Sequence, residues 1–198
     1  GLDATLIAVA MTIFLIYNGV NDPVFGYLID RNFRFTKRLG RRFPWIVIGI
    51  IPWVISVYLL FSVPINIDGS TNPGAAFVWL LLSLVLLDTF GTLVNINYRA
   101  VQVEKFRSEY ERRRFTRYYA PLDILAIVLG MLLPPLFTDM IPGDPRASYS
   151  MMGAVIAVIA LVFGILSLPG NRADKIMIDK YYSPDSVKRM NFLKVFKE

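Results

Sequence analysis

Two carboxylates stand out because of their surroundings. Asp22 lies inside an apolar run over residues 4–29, and Asp88 inside another over residues 75–98. A central Asp costs about 2.5–3.5 kcal/mol on membrane-insertion scales, so such residues are functional candidates by default. Asn18, Asn21 and Asp22 share one helical face through i, i+3 and i+4 spacing. Asp88, Thr92, Asn95 and Arg99 share another through i, i+4, i+7 and i+11. Apart from Arg99 these are oxygen-bearing side chains, a set that suits a hard cation such as Na⁺, or a proton on a carboxylate. The two stripes also match in depth. The first run centres near Tyr17 and the other near Leu87, so Asn18 and Asp88 lie near both midpoints, with Asp22 and Thr92 one turn further along. Hydrogen bonding between helices, at ~0.6 kcal/mol per pair, accounts for Asn97 alone. It is a poor account of a carboxylate with no basic residue at its depth.

The rest of the composition narrows the chemistry. The chain has 198 residues, 55% of them hydrophobic and 18% charged, with neither histidine nor cysteine. The commonest general base, the thiol nucleophile and zinc–thiolate ligation are therefore excluded. No nucleophile–base pair or metal cluster is apparent, so neither an enzyme nor a bound cofactor is expected. Mean hydropathy of +0.51 is far above that of a soluble domain. The expected fold class is all-α, a polytopic membrane helix bundle.

A spanning helix needs about 20 apolar residues. Five segments qualify, roughly 4–29, 43–64, 75–98, 120–141 and 149–169. Of the 21 Lys and Arg, all but Arg146 fall in residues 31–42, 99–117 and 172–197. Basic loops mark the cytoplasmic side, so the first span starts outside and the chain ends inside, in the plasma membrane by expectation. The basic clusters are short loops pinned to spans, which argues against a nucleic-acid partner. The expected partners are the lipid bilayer and a small-molecule solute. Five spans starting outside, from Gly1 with no methionine, suggest a piece of a longer protein that lacks a preceding helix.

The outer connections, residues 68–74 and 142–145, read as turns. Pro23, Pro52, Pro121, Pro134 and Pro135 interrupt spans, a feature tolerated where neighbours or a water-filled cavity satisfy the freed carbonyls. Gly19, Gly26, Gly91 and Gly130 are candidates for close helix approach. Asp123 falls near the inner end of its span, at the interface. Residues 1–169 thus form the bundle. Residues 170–198 form a basic amphipathic segment on the inner membrane surface, or a linker to a following domain.

The same residues carry a resemblance. Asn21-Asp22-Pro23, Gly26, Asp30 and Gly40-Arg41-Arg42-Phe43-Pro44-Trp45, in that order, are similar to the second helix and following loop of the glycoside–pentoside–hexuronide:cation symporters, the melibiose-permease-like branch of the major facilitator superfamily. Thr92-Leu93-Val94-Asn95-Ile96-Asn97-Tyr98 resembles that family's fourth helix. Glu111-Arg112 and Arg117 resemble the acid–arginine pair and the arginine entering the fifth. The resemblance covers helices two to six of a twelve-helix carrier and its central loop, so the first helix and the second half would lie elsewhere in the protein. It implies that Asp22, Asn21 and Thr92 are cation ligands and that Asn95 and Arg117 face the solute cavity; Arg99, on the same stripe as Asn95, is a further candidate for solute binding. Asp30, Arg41 and Arg42 would form an inner gate latch.

Three departures carry information. Sodium-coupled members of the family have a carboxylate where this chain has Asn18, which favours protons. Proline is replaced by Asn97. The step from Glu111 to Arg117 is short. Asp88 stands where the family is expected to carry a small residue, at the depth of Asn18. The second carboxylate has then moved from one helix to its neighbour, an idea that fails if Asp88 lies more than roughly 8 Å from both Asn18 and Asp22, where the Coulomb term is small beside desolvation. The expected activity is cation- or proton-coupled symport of a sugar or related solute by alternating access. The alternatives are the same fold carrying a lipid-like solute, and a truncated, non-transporting membrane scaffold.

Overall fold

The computed structural model describes residues 1–29, 33, 36–137, 141–174 and 178. Six helices are found there: α1 (Ala4–Ile29), α2 (Thr36–Leu39), α3 (Phe43–Phe61), α4 (Pro73–Lys105), α5 (Glu109–Phe137) and α6 (Pro145–Asn171). All but α2 are long and apolar enough to cross a membrane, and no strand occurs among the described residues. The chain is a multi-pass integral membrane protein.

The ends of several helices differ from the expected spans. α3 stops at Phe61, before Pro64, and Ser62 closes it with an N–H bond to the Tyr58 carbonyl. α4 runs past residue 98 to Lys105, and α5 starts at Glu109 instead of residue 120. Apolar content locates the membrane-embedded part of a helix, whereas hydrogen bonding continues into the charged turns beyond it, where the side chains meet water. α5 is described as far as Phe137, and residues 138–140 of the expected span lie outside the described set.

Capping explains the starts. Asn72 accepts the Ala75 N–H at 3.1 Å ahead of Pro73, and Asp144 accepts the Ala147 N–H at 3.0 Å ahead of Pro145. Each pairs an oxygen-bearing cap with a proline that fits the first helical position. α5 opens with a capping box: Glu111 takes the Ser108 N–H, and the Ser108 hydroxyl takes the Glu111 N–H. These bonds hold the Glu111 carboxyl below the usual carboxylate range.

Packing sets the helices in the spatial order α1, α4, α3, α6, α5. Ile46, Ile50 and Val54 of α3, Val101 of α4 and Ala157 of α6 form the apolar core, with Trp53, Val94 and Leu161 against it. Lipid is as apolar as leucine, so helices in a membrane associate through close van der Waals fit more than through hydrophobicity. The fit is visible at two glycines: a Cβ at Gly153 would lie 2.7 Å from the Phe61 Cβ, and one at Gly91 would lie 3.3 Å from the Trp53 indole nitrogen. Of the four glycines expected to mediate close approach, only Gly91 does so; a Cβ at Gly19, Gly26 or Gly130 would meet nothing within 4 Å. Those three lie on helix surfaces that no described element covers.

The α3–α4 connection is clipped to the start of α6. Arg146 lies 3.4 Å from the Asp68 carboxylate and donates to the Ile65 carbonyl at 3.3 Å. At the other end of the bundle, Lys105 donates to the Gly170 carbonyl at 2.6 Å and Arg42 lies 3.5 Å from Glu104. Gly40 holds φ near +89°, a conformation that favours glycine, and so lets the chain turn into Arg41 and Arg42.

Candidate functional site

The polar residues of α1 and α4 meet along one seam. Asn18 donates from Nδ2 to Asp88 Oδ1 at 2.7 Å, and Asn21 donates from Nδ2 to Asp88 Oδ2 at 2.9 Å. Both oxygens of the Asp88 carboxylate therefore receive an amide N–H. One turn along, the Thr92 hydroxyl donates to Asp22 Oδ1 at 3.0 Å. The pairs 18–88 and 22–92 share a sequence separation of 70, so α1 and α4 run parallel in a fixed register. The depth-matched residues are hydrogen-bond partners, and Asp88 lies well inside the distance at which its relocation between helices would fail.

Burial differs along the seam. Asn21 is 4% and Thr92 9% exposed. Asn18 and Asp88 are half-buried, whereas Asp22 is exposed. Among the described residues, no Lys or Arg forms an ion pair with Asp22 or Asp88. Asp22 thus offers a second oxygen, Oδ2, without a hydrogen-bond partner among the described residues, beside the threonine that holds Oδ1. Such a group can take up a proton or a small hard cation.

Two members of the network escape the sequence reasoning. The Tyr17 hydroxyl lies 2.5 Å from Thr89 Oγ1 and 3.2 Å from Asn21 Oδ1, and Thr89 reaches the Val85 carbonyl at 2.6 Å. A signal existed: Tyr17 precedes Asn21 by four residues on the same face, and its hydroxyl falls near the midpoint of a span, not at the interfacial belt where tyrosines collect. Asn97, by contrast, is fully buried, with Nδ2 on the Leu93 carbonyl at 2.7 Å and Oδ1 without a partner.

The remaining candidates are not gathered into the seam. Asn95 and Arg99 continue down α4 on its exposed side, and Arg117 is exposed on α5, which packs chiefly on α6 and has no buried residue. Asp123 is exposed and accepts from the Tyr119 hydroxyl at 3.3 Å. Arg41 and Arg42 are half-buried at the end of the bundle opposite Arg146, where Arg42 meets Glu104. Asp30 and most of the basic tail lie outside the described residues.

The described residues form an all-helical bundle with five helices fit to span a membrane and a carboxylate seam between two parallel ones. Residues 1–198 match the family described as MFS/sugar transport protein, and the chain belongs to that family. It is 27% identical over 81% of its length to the uncharacterized symporter sll1374 of Synechocystis sp., of which it covers 29%. It is 25% identical over 82% of its length to the inner membrane symporter YicJ of Escherichia coli, covering 34% of that protein. A third relative, the sodium-dependent lysophosphatidylcholine symporter 1 of Mus musculus, is 28% identical over 58% of this chain and 21% of its own length. The chain thus spans between 21% and 34% of the length of each of these relatives. The family and these relatives are transporters, not enzymes.

Proposed function

We propose that the full-length protein is an ion-coupled carrier that moves a small solute by alternating access, with Asp22 as the group that loads and releases the coupling ion. The observation that carries this reading is the Asp22 carboxylate, hydrogen-bonded by Thr92 and free of any ion pair with a described Lys or Arg. Asn21, Thr92, Asn18 and Asp88 complete the ion site. The ion is a proton or Na⁺.

In such a carrier the two halves rock around a site near the bilayer midplane. A carboxylate there is tolerable only when protonated or paired with a cation, so ion loading and rocking are linked. Coupling is reciprocal: the ion raises solute affinity by the factor the solute returns. Asn95, Arg99 and Arg117 would face the solute. Arg41 and Arg42, with Asp30, would latch the inner face. The first span begins outside and the chain ends in the cytoplasm, with the plasma membrane as the site of action.

A sugar is the favoured solute class from the family, in accord with the glycoside resemblance. Similarity to a lysophosphatidylcholine symporter favours a second class, an amphipathic lipid. Asn95 in place of an acid removes a strong acceptor for sugar hydroxyls, which adds weight to the lipid. The decisive experiment is Asp22→Asn in the full-length protein, reconstituted in vesicles and supplied in turn with sugars and lysolipids under ion gradients. Coupled accumulation is lost on this reading; accumulation against a gradient at the normal level would refute it.

A further inference from the structure

The Tyr17–Thr89 contact is short enough to impose a rule on its neighbours. Two oxygens 2.5 Å apart must share a proton between them. Each hydroxyl carries one proton, so the two protons must serve three contacts: Tyr17 to Thr89, Tyr17 to Asn21 Oδ1, and Thr89 to the Val85 carbonyl. With the central contact always occupied, one proton remains for the two ends. Either Tyr17 donates to Thr89 and Thr89 to Val85, or Thr89 donates to Tyr17 and Tyr17 to Asn21.

The two arrangements differ in what they do to Asn21. Its amide cannot turn over, because Nδ2 is held by Asp88 Oδ2 at 2.9 Å and a flip would set oxygen against oxygen. Its Oδ1 is therefore committed to the Tyr17 side, in a residue only 4% exposed. In the second arrangement that oxygen receives a proton and is satisfied. In the first it receives none and is open to a cation. The Val85 carbonyl loses little either way, since it already accepts a main-chain N–H within α4.

We propose that the Tyr17 and Thr89 hydroxyls form a two-position switch that covers the Asn21 carbonyl when the ion site is empty and frees it when an alkali-metal cation is bound. This rests on the ion-site reading above and deepens it by naming the class of ion. A proton arriving at a carboxylate has no use for an amide oxygen, whereas a metal cation gains a ligand. Rotation of two O–H bonds keeps a buried carbonyl satisfied in both states. Tyr17 and Thr89 are positioning residues: they act through Asn21.

The test is Na⁺ binding to the purified full-length protein in lipid nanodiscs, titrated by calorimetry in a buffer free of other alkali cations. Tyr17→Phe leaves the Asn21 oxygen permanently open and tightens Na⁺ binding about three- to tenfold, the range one neutral hydrogen bond commands. Thr89→Val leaves the Tyr17 proton no destination but Asn21 and weakens Na⁺ binding by a similar factor, and Thr89→Ser restores it. A merely structural role would weaken binding in both. Shifts of the same sign, no shift in either variant, or no Na⁺ binding by the unaltered protein overturns the switch. Should Tyr17→Phe fail to fold, the Thr89→Val and Thr89→Ser pair decides alone. Loss of accumulation in Asp22→Asn alongside any of the overturning results leaves the carrier reading standing and removes only the switch.

Discussion

The two faces of α4 are built on opposite principles. Toward α3 and beyond it α6, the contacts are mainly apolar: Ile46, Ile50, Val54, Val101 and Ala157 interlock, and small residues such as Gly153 and Gly91 admit bulky partners. Toward α1 they are polar: two asparagines clamp one aspartate, and a threonine holds another. In lipid the apolar face gains chiefly from fit, so it tolerates little change in shape. The polar face gains from satisfied hydrogen bonds, so it tolerates little change in chemistry. One helix thus joins a rigid support to a chemical site.

This contrast breaks first at Asp22. Asp22→Asn abolishes ion-coupled accumulation while leaving the melting temperature of the purified full-length protein nearly unchanged, because the Thr92 hydroxyl keeps an oxygen acceptor. An equal loss of stability would erase the distinction between the two faces. Gly153→Ala has the reverse signature. Its new methyl meets Phe61 and costs about 1–3 kcal/mol as overpacking, read as a lower melting temperature with ion preference unaltered. Gly19→Ala is its control: nothing lies within 4 Å, and stability holds.

Asn18→Asp sharpens the polar side. It replaces an amide donor 2.7 Å from Asp88 by a second carboxylate, and the pair then needs a cation or a proton between them. Uptake becomes several-fold more dependent on Na⁺. Adding Asp88→Asn to it swaps donor and acceptor and returns the ion dependence toward the original. Unchanged ion dependence in the single variant would remove Asn18 from the site.

The smallest effect is expected at the Asp68–Arg146 clip. Hydrogen bonds from the Ser70 hydroxyl and N–H hold the Asp68 carboxyl below its ordinary range, with Arg146 adding a lesser pull. A carboxyl lowered on folding adds stability that is complete above its unfolded value near 3.9 and is lost as pH falls through the folded value. Thermal melts of Arg146→Ala and the unaltered protein therefore run nearly together from pH 5 to 8, both falling only in stronger acid. A clear divergence near neutrality would mean that the clip carries more load than its exposure allows.

Much of this was legible before any coordinates. Long apolar runs and basic loops give the five embedded helices and the all-α class, because the bilayer imposes a single length scale on every span. Periodicity put Asn18, Asn21 and Asp22 on one face, and counting from span midpoints set them level with Asp88 and Thr92. Neighbour relations were less accessible. Nothing in the residues of α5 says that it packs on α6 and leaves Arg117 away from the seam, since an apolar surface suits lipid and protein alike. Tyr17 and Thr89 were overlooked because their function lies in hydroxyl geometry, and sequence spacing resolves a face but not a proton. Helix ends drifted for a related reason, as hydropathy measures immersion and not hydrogen bonding.

The shared offset of 70 residues in the 18–88 and 22–92 pairs has a mechanical meaning. Sliding α1 along α4 by one turn in one direction would press Asp22 against Asp88; in the other it would set Asp22 beside Ile96 and Asp88 beside Phe14. Both displacements strand a negative charge, so the two helices are doweled together. Any large rearrangement must carry them as one piece, the proposed ion site included.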